Sequence, residues 1–541
     1  MSASSALAAH LLGFPPARCR VERSRQWIAM RDGVRLATTL YRPSLPQPRT
    51  TVLARVVARQ PAALVARLLA GQGHRVVIQE CRGLLESGGR FEPFLRDGSD
   101  GADTLDWLSA QPGSGGPTAL LGFGYAGHAG WATLSSARQP VDGLLVGFAA
   151  RDPHAWLHTG GALELEHTFA LALALAAAEP EGVRSRDLHR ATRFRPLKLA
   201  DRVAARRIDW LREWLDHPRR DSFWQARTPA LPERPPAALL IGGWYHPSLP
   251  ALLEDHAALT AAARAAGGGA PRLLVGPWPA AGEPRKGARA LGHARELARA
   301  ALDFLTSLAE PGVVREATVR LFGGGGAGWR DAAGWPPDAS EEVLYLGGDG
   351  RAAEGGRLLP EPAERDAPDA WVHDPADAVP SEGGACGSRP GAIPLSAAET
   401  RGDVLRYLGE PLSTGGELDG RARVELFVTS DASASDFTAR LVRIDRSGAP
   451  FHLSDGITRM TQKLLESPSR VVIELAPVFH RLHAGERLRL DVASSAFPRF
   501  DRHPNTGTPP ADVDGEACRA ALHRVHHDVR FPSCIRLART R

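Results

Sequence analysis

The chain has 541 residues, 43% of them hydrophobic and 23% charged, the make-up of a globular protein of about two to four domains rather than a disordered or fibrous one. The formal charge of +5 and pI near 9.2 come almost entirely from arginines scattered among 61 acidic residues, with Lys198, Lys286 and Lys463 the only lysines; no basic run carries interleaved aromatics, which argues against nucleic acid as a partner. The cysteines (Cys19, Cys81, Cys386, Cys518, Cys534) are odd in number, dispersed and without a C-x-x-C pair, which argues against a disulfide framework or a structural zinc site.

In chain order, Ser5–Phe14 is mildly apolar but lacks a basic start, so a signal peptide is not expected. Residues 26–41 read as two strands joined by the Arg31-Asp32-Gly33 turn. Thr51–Ala58 is a short β-branched run and His74–Glu80 reads as a buried strand; Pro61–Gln72 and Asp97–Ala110 read as helices, the latter with Ala102, Leu105 and Leu108 on one face. Leu120–Trp131 then has the frame of a serine-hydrolase nucleophile elbow, G-x-S-x-G, in which a strand turns sharply into a helix with the nucleophile at the bend. Here the frame is Gly122-Phe123-Gly124-Tyr125-Ala126, and Gly124 stands where the hydroxyl belongs. Val141–Phe148 is a further strand, and the alternation of strands and helices indicates an α/β parallel sheet covered on both faces.

From about Asp152 to Pro232 helical patterns with Trp156, Trp210, Trp214 and Trp224 replace the strands; these tryptophans read as core or as the lining of an aromatic pocket. Phe169–Ala178, the most apolar stretch, falls short of the roughly 20 residues of a membrane span, so no membrane partner and a cytoplasmic setting are expected. Pro236–Tyr245 and Arg272–Trp278 return to sheet texture around a helix at Pro250–Ala266, residues 347–400 are rich in Gly, Pro, Ala and Asp, and short β-type runs follow at 404–407, 422–429, 438–444, 471–475 and 488–493, the spacing of a sandwich or jelly roll. The expected division is an α/β core at 1–150 and 233–346, a helical cap inserted at 151–232, a linker at 347–400 and an all-β domain at 401–541.

Ordered motifs run along the chain: Met30-Arg31-Asp32-Gly33-Val34-Arg35-Leu36, Tyr41-Arg42-Pro43, Cys81-Arg82-Gly83, Ser87-Gly88-Gly89-Arg90-Phe91, Asp106-Trp107-Leu108, the elbow, Asp221-Ser222-Phe223-Trp224, Gly243-Trp244-Tyr245, Gly276-Pro277-Trp278, Ser435-Asp436-Phe437-Thr438, Asp455-Gly456-Ile457 and Ser494-Ser495-Ala496-Phe497-Pro498-Arg499-Phe500-Asp501. With them the chain resembles, over roughly residues 25–540, the cocaine-esterase-like and X-prolyl dipeptidyl-peptidase-like α/β-hydrolases of the CocE/NonD group. The resemblance implies an α/β-hydrolase core with a helical cap insertion and a C-terminal all-β jelly roll (galactose-binding-like). It also implies ester or amide hydrolysis by a Ser-Asp-His triad. Position by position, the implied serine falls on Gly124, the aspartate after Gly-Trp-Tyr on His246, and the histidine after Gly-Pro-Trp on Ala280; an oxyanion-hole tyrosine falls on Ala58.

A triad needs a hydroxyl, a base in reach of it and a carboxylate to orient the base, and none survives at these positions. The expectation is therefore a non-hydrolytic member, a pseudoenzyme, that binds a small acyl-, ester- or amide-like ligand, a protein partner or a second copy of itself. Two alternatives stand beside it. One is a lyase, isomerase or cyclase that uses His246 with His128 and Tyr125 as neighbours. The other is an ester or X-prolyl peptide hydrolase with displaced catalytic residues; Ser114 reads as a turn residue and Ser248 as a helix cap or loop hydroxyl. Tyr125, Trp156, Trp244, Tyr245 and Trp278 are the candidate ligand contacts. No cofactor and no metal are expected: Glu164-x-Glu166-His167 does not have the H-E-x-x-H spacing and reads as a solvated helix face.

Overall fold

A computed structural model of the chain describes residues 7, 9–59, 62–177, 185–204, 206–279, 288–310, 318–337, 339–385, 389–396, 398–461 and 467–540. Strands β1 (Val21–Ala29) and β2 (Arg35–Pro43) form the expected hairpin, followed by β3 (Thr51–Val56), α1 (Ala62–Gly71), β4 (Arg75–Glu80), α2 (Asp97–Ser109), β5 (Thr118–Phe123), α3 (Tyr125–Ser136) and β6 (Gly143–Gly147). After the cap the core resumes with β7 (Ala237–Tyr245), α7 (Leu249–Ala265), β8 (Arg272–Pro279), α8 (Ala288–Ala309), β9 (Val319–Gly323) and β10 (Gly328–Ala332). The sheet order is β1-β2-β4-β3-β5-β6-β7-β8-β9-β10, parallel from β4 to β9 and antiparallel at both ends. Every residue of β3, β4 and β6 is buried, as expected of strands with helices on both faces. Strands β5 and β6 lie at the centre, so the loops after them reach the middle of the carboxyl edge, where ligands bind in open α/β sheets.

The cap comprises α4 (Leu165–Ala177), α5 (Ser185–Arg193), α6 (Asp209–Asp216) and shorter turns. Its core contains Phe169, Trp156, Trp214 and Trp224, each at most 1% exposed, with Trp210 partly buried against them.

The second sheet begins earlier than the sequence pattern indicates. Strands β11 (Ser340–Gly347), β12 (Gly356–Leu359) and β13 (Asp369–His373) all belong to it, β11 pairing with Cys534–Thr540 and β13 with Ala521–His526. The expected linker at 347–400 is thus partly strand. Its strands are short, four and five residues, and set among turns rich in Gly, Pro and Asp; β12 pairs with β11 and with Leu405–Leu408, and β13 with Ala521–His526. Leu405, Tyr407, Val424, Leu426, Phe437 and Leu490 centre this domain's core.

Candidate functional site

The sharp bend predicted at position 124 is present. Gly124 joins β5 to α3 with φ +57° and ψ −129°. Its N–H donates to Gly147 O (2.8 Å) and its carbonyl accepts from the N–H groups of Gly127 and His128. Gly122 lets the strand and helix close on each other: a Cβ there would lie 2.1 Å from Ala126 O. At Gly124 a Cβ would meet nothing within 4 Å. The elbow therefore keeps its strained backbone and the room for a side chain, and carries no reactive group.

His246 lies just beyond β7 and is 4% exposed. Its Nδ1 accepts from the Ser248 N–H (3.1 Å) and lies 2.7 Å from Ser248 Oγ. A backbone N–H can only donate, so the Nδ1 lone pair is occupied and the ring proton resides on Nε2. Burial, reinforced by the neighbouring His167, holds the His246 pKa well below the ordinary imidazole value. The ring packs against Phe148 and, edge to face, against His167, each at 5.4 Å between centroids. Among the described residues no carboxylate bonds either nitrogen of His246. Phe148 bridges the parts of the site, touching Phe123 beside the bend, His246, and Trp278. It does so with φ +53°, a conformation that bulky side chains rarely adopt.

Two expected neighbours of His246 are elsewhere. The Tyr125 hydroxyl donates to Asp97 Oδ2 (2.7 Å) and accepts from the Phe94 N–H (2.9 Å), and its ring stacks on Phe94. Buried beside Asp97, its phenol is pushed well above its usual pKa. His128 is fully buried against Phe94, and burial lowers its pKa to about 4. Both serve the packing between α3 and the Phe94 loop.

The solvated face expected of Glu164, Glu166 and His167 is likewise corrected. Glu164 is 1% exposed and paired with the buried Arg499 of the second domain, Glu166 is buried, and His167 meets His246. The signal for this was in the sequence: α4 is apolar on every side after its first turn, and such a helix has no face for solvent.

The aromatic candidates also separate. Trp244, Tyr245 and His246 line a cavity of about 280 Å³ between core, cap and jelly roll, where Trp244 Nε1 donates to Phe322 O (2.6 Å). Trp156 lies outside its wall, packed on Phe94. Trp278 does too, packed on Phe148 and Trp329. Ala58 lines a second cavity of about 220 Å³ beside the elbow, formed by apolar side chains and the backbone of Gly122. Ala280 lies outside the described residues. Among the described residues no group of three or more His, Cys, Asp or Glu side chains is disposed to hold a metal ion, and no helix is long and apolar enough to cross a membrane.

Residues 32–279 match the X-Pro dipeptidyl-peptidase (S15) family and residues 311–536 the X-Pro dipeptidyl-peptidase C-terminal non-catalytic domain. Cocaine esterase of Rhodococcus sp. (strain MB1 Bresler) is 31% identical, over 95% of this chain and 97% of its own. An α-amino acid ester hydrolase superposes with a TM-score of 0.80 at 20% identity, over 97% of each chain. An aminopeptidase from a marine-sediment Thaumarchaeota archaeon has the same TM-score at 22% identity, over 97% of this chain and 98% of its own.

Proposed function

This chain belongs to the cocaine-esterase and X-Pro dipeptidyl-peptidase family of serine hydrolases, and from that membership we propose that it is a member that holds an ester- or amide-like molecule without cleaving it. The observation that carries this reading is Gly124: the elbow geometry is kept and the attacking atom is gone. The triad supplies roughly a million-fold of rate in serine hydrolases, and removing it leaves only about 10³–10⁴ over water from binding and the oxyanion hole. With alanine at position 58, no side-chain donor stands at the implied oxyanion-hole position.

The surroundings of His246 support the same reading. With Nδ1 bonded to Ser248 and the proton on Nε2, the imidazole offers a hydrogen-bond donor where the family's triad places a carboxylate. The Ser248–His246 pair is two-thirds of a displaced triad, yet no described carboxylate orients the ring. Ser248 is 1% exposed and does not line the cavity, so its hydroxyl has no path to a substrate. A repurposed acid–base site built from His246, His128 and Tyr125 is not favoured, since the last two point into the core.

The test is steady-state turnover of p-nitrophenyl acetate and an X-Pro-p-nitroanilide by the purified full chain. Rates equal to those of heat-denatured protein are expected. Saturable turnover blocked by a serine-directed fluorophosphonate would overturn the proposal. The triple substitution Gly124→Ser, His246→Asp, Ala280→His is expected to gain ester turnover.

A further inference from the structure

Arg55, Arg459 and Arg499, all buried, are each answered by two carboxylates. Three arginines at the seam between cap and jelly roll depart from this pattern. Arg193 closes α5, Arg195 follows two residues later, and Arg502 comes from the jelly roll. The guanidinium carbons of Arg193 and Arg502 lie 5.1 and 4.8 Å from the centre of one ring, that of Phe497, and Arg195 lies close enough to Arg502 to be repelled by it. Their hydrogen bonds within the protein go to neutral acceptors: Arg193 to the imidazole and carbonyl of His189, Arg195 to Phe194 O (3.2 Å) and Arg502 to Pro375 O (3.2 Å). Among the described residues no carboxylate pairs with any of the three.

The nearest acid is already engaged. Asp501 accepts from Arg459 (2.8 and 3.1 Å) and from the Leu163 N–H (2.9 Å), and Arg459 also holds Asp436. One surplus negative charge there faces three positive ones. The other titratable neighbour of Arg195 and Arg502 is the free thiol Cys518. The imbalance shows in the titration: burial and then Arg502 push the Arg195 pKa down to about 10, and burial with Arg193 lowers that of Arg502. Arg195 Nη2 and Arg502 Nε are enclosed without a partner. Arg195 Nε and Arg502 Nη2 also lack one but are open, and Arg193 is exposed. Open N–H groups from three guanidinium forks thus surround a place with no counter-charge. A tetrahedral oxyanion has enough oxygens to take a bond from each fork, where a carboxylate has two.

We propose that the seam between α5 and the jelly roll is a binding site for a phosphate-type oxyanion, which supplies the missing counter-charge to Arg193, Arg195 and Arg502 and ties the cap to the second domain. None of the three arginines lines the 280 Å³ cavity, so the site is separate from the old hydrolase pocket and independent of whether the protein cleaves esters.

Inorganic phosphate and acetate, titrated by calorimetry into the full-length protein in chloride buffer of constant ionic strength at pH 7.5, test it. Phosphate is expected to bind with a Kd of about 1 mM or tighter and about tenfold more tightly than acetate. Arg195→Met keeps the buried stem and removes the charge; it and Arg502→Gln are each expected to weaken phosphate about tenfold, and either reads the site if the other does not fold. Arg23→Gln, at an exposed position on β1 at the edge of the core sheet, is expected to leave binding unchanged. In chloride alone the urea midpoint of Arg195→Met is expected to be no lower than that of the wild type, because a repelled cation is gone, and phosphate is expected to raise the wild-type midpoint more than the variant's. No phosphate binding at millimolar concentration, acetate binding as tight as phosphate, equal weakening by Arg23→Gln, affinity unchanged in Arg195→Met and Arg502→Gln, or a lower midpoint for Arg195→Met in chloride would each overturn the proposal.

Discussion

At the scale of single residues, glycine at position 124 removes a nucleophile and relieves strain in the same step. A Cβ there has room, but φ +57° with ψ −129° costs a non-glycine residue of order 1–3 kcal/mol. Gly124→Ser alone is therefore expected to lower stability by about that amount in urea denaturation, with no gain in ester turnover; an unchanged midpoint would contradict it. Ser248→Ala removes one of the two partners of His246 Nδ1, at a cost of about 0.5–1.5 kcal/mol. ¹⁵N-NMR of the imidazoles is expected to show the Nε2–H tautomer for His246 both in the wild type and in the variant, because the backbone N–H at position 248 still donates to Nδ1. An Nδ1–H tautomer in the wild type would refute the donor role. The bend at Gly124 was legible in the sequence because an elbow is a local pattern of small residues around a strand end. The partners of His246 were not. Ser248 has the look of an ordinary helix cap, although its side chain caps nothing, and His167 arrives from the cap through tertiary packing.

Between elements, one arginine joins the cap to the jelly roll. Arg499 is 4% exposed and lies between Glu164 and Asp455. Removing one member of a buried ion cluster leaves the others uncompensated, at about 3–5 kcal/mol. Arg499→Ala is expected to cost that much in chemical denaturation and to expose the cap to limited proteolysis. A loss below about 1 kcal/mol, the scale of a surface pair, would show that the junction is held by other contacts. The Ser494–Asp501 motif was legible; its role in fastening two domains was not, because the carboxylate it meets, Glu164, lies in the cap just before α4. A different limit applies to the strands. Residues 51–56, 75–80 and 143–147 carry runs of apolar and β-branched residues and were legible as strands from sequence alone. Residues 356–359 and 369–373 are only four and five residues long and sit among turn residues that mask them.

Over the whole molecule, many of the described histidines are buried and held neutral. Burial holds His74, His128, His167, His373 and His480 near about 4 and His158 and His523 near about 3. Their folded pKa values lie below the roughly 6.5 of an exposed imidazole, so on acidification the unfolded chain takes up protons first. Their contribution to stability is complete above about pH 6.5 and falls as the pH drops toward 4. Asp255, raised to about 6 by burial, opposes this through a single group. The urea midpoint is expected to fall between pH 7.5 and pH 5; a constant or rising midpoint would contradict the burial of these rings. The central claim concerns the absence of a reactive serine, and intact-mass spectrometry after incubation with a fluorophosphonate reads it directly. An unmodified mass is predicted for the wild-type chain at pH 7.5. A stoichiometric adduct, at Ser248 or at any other serine, would contradict the account.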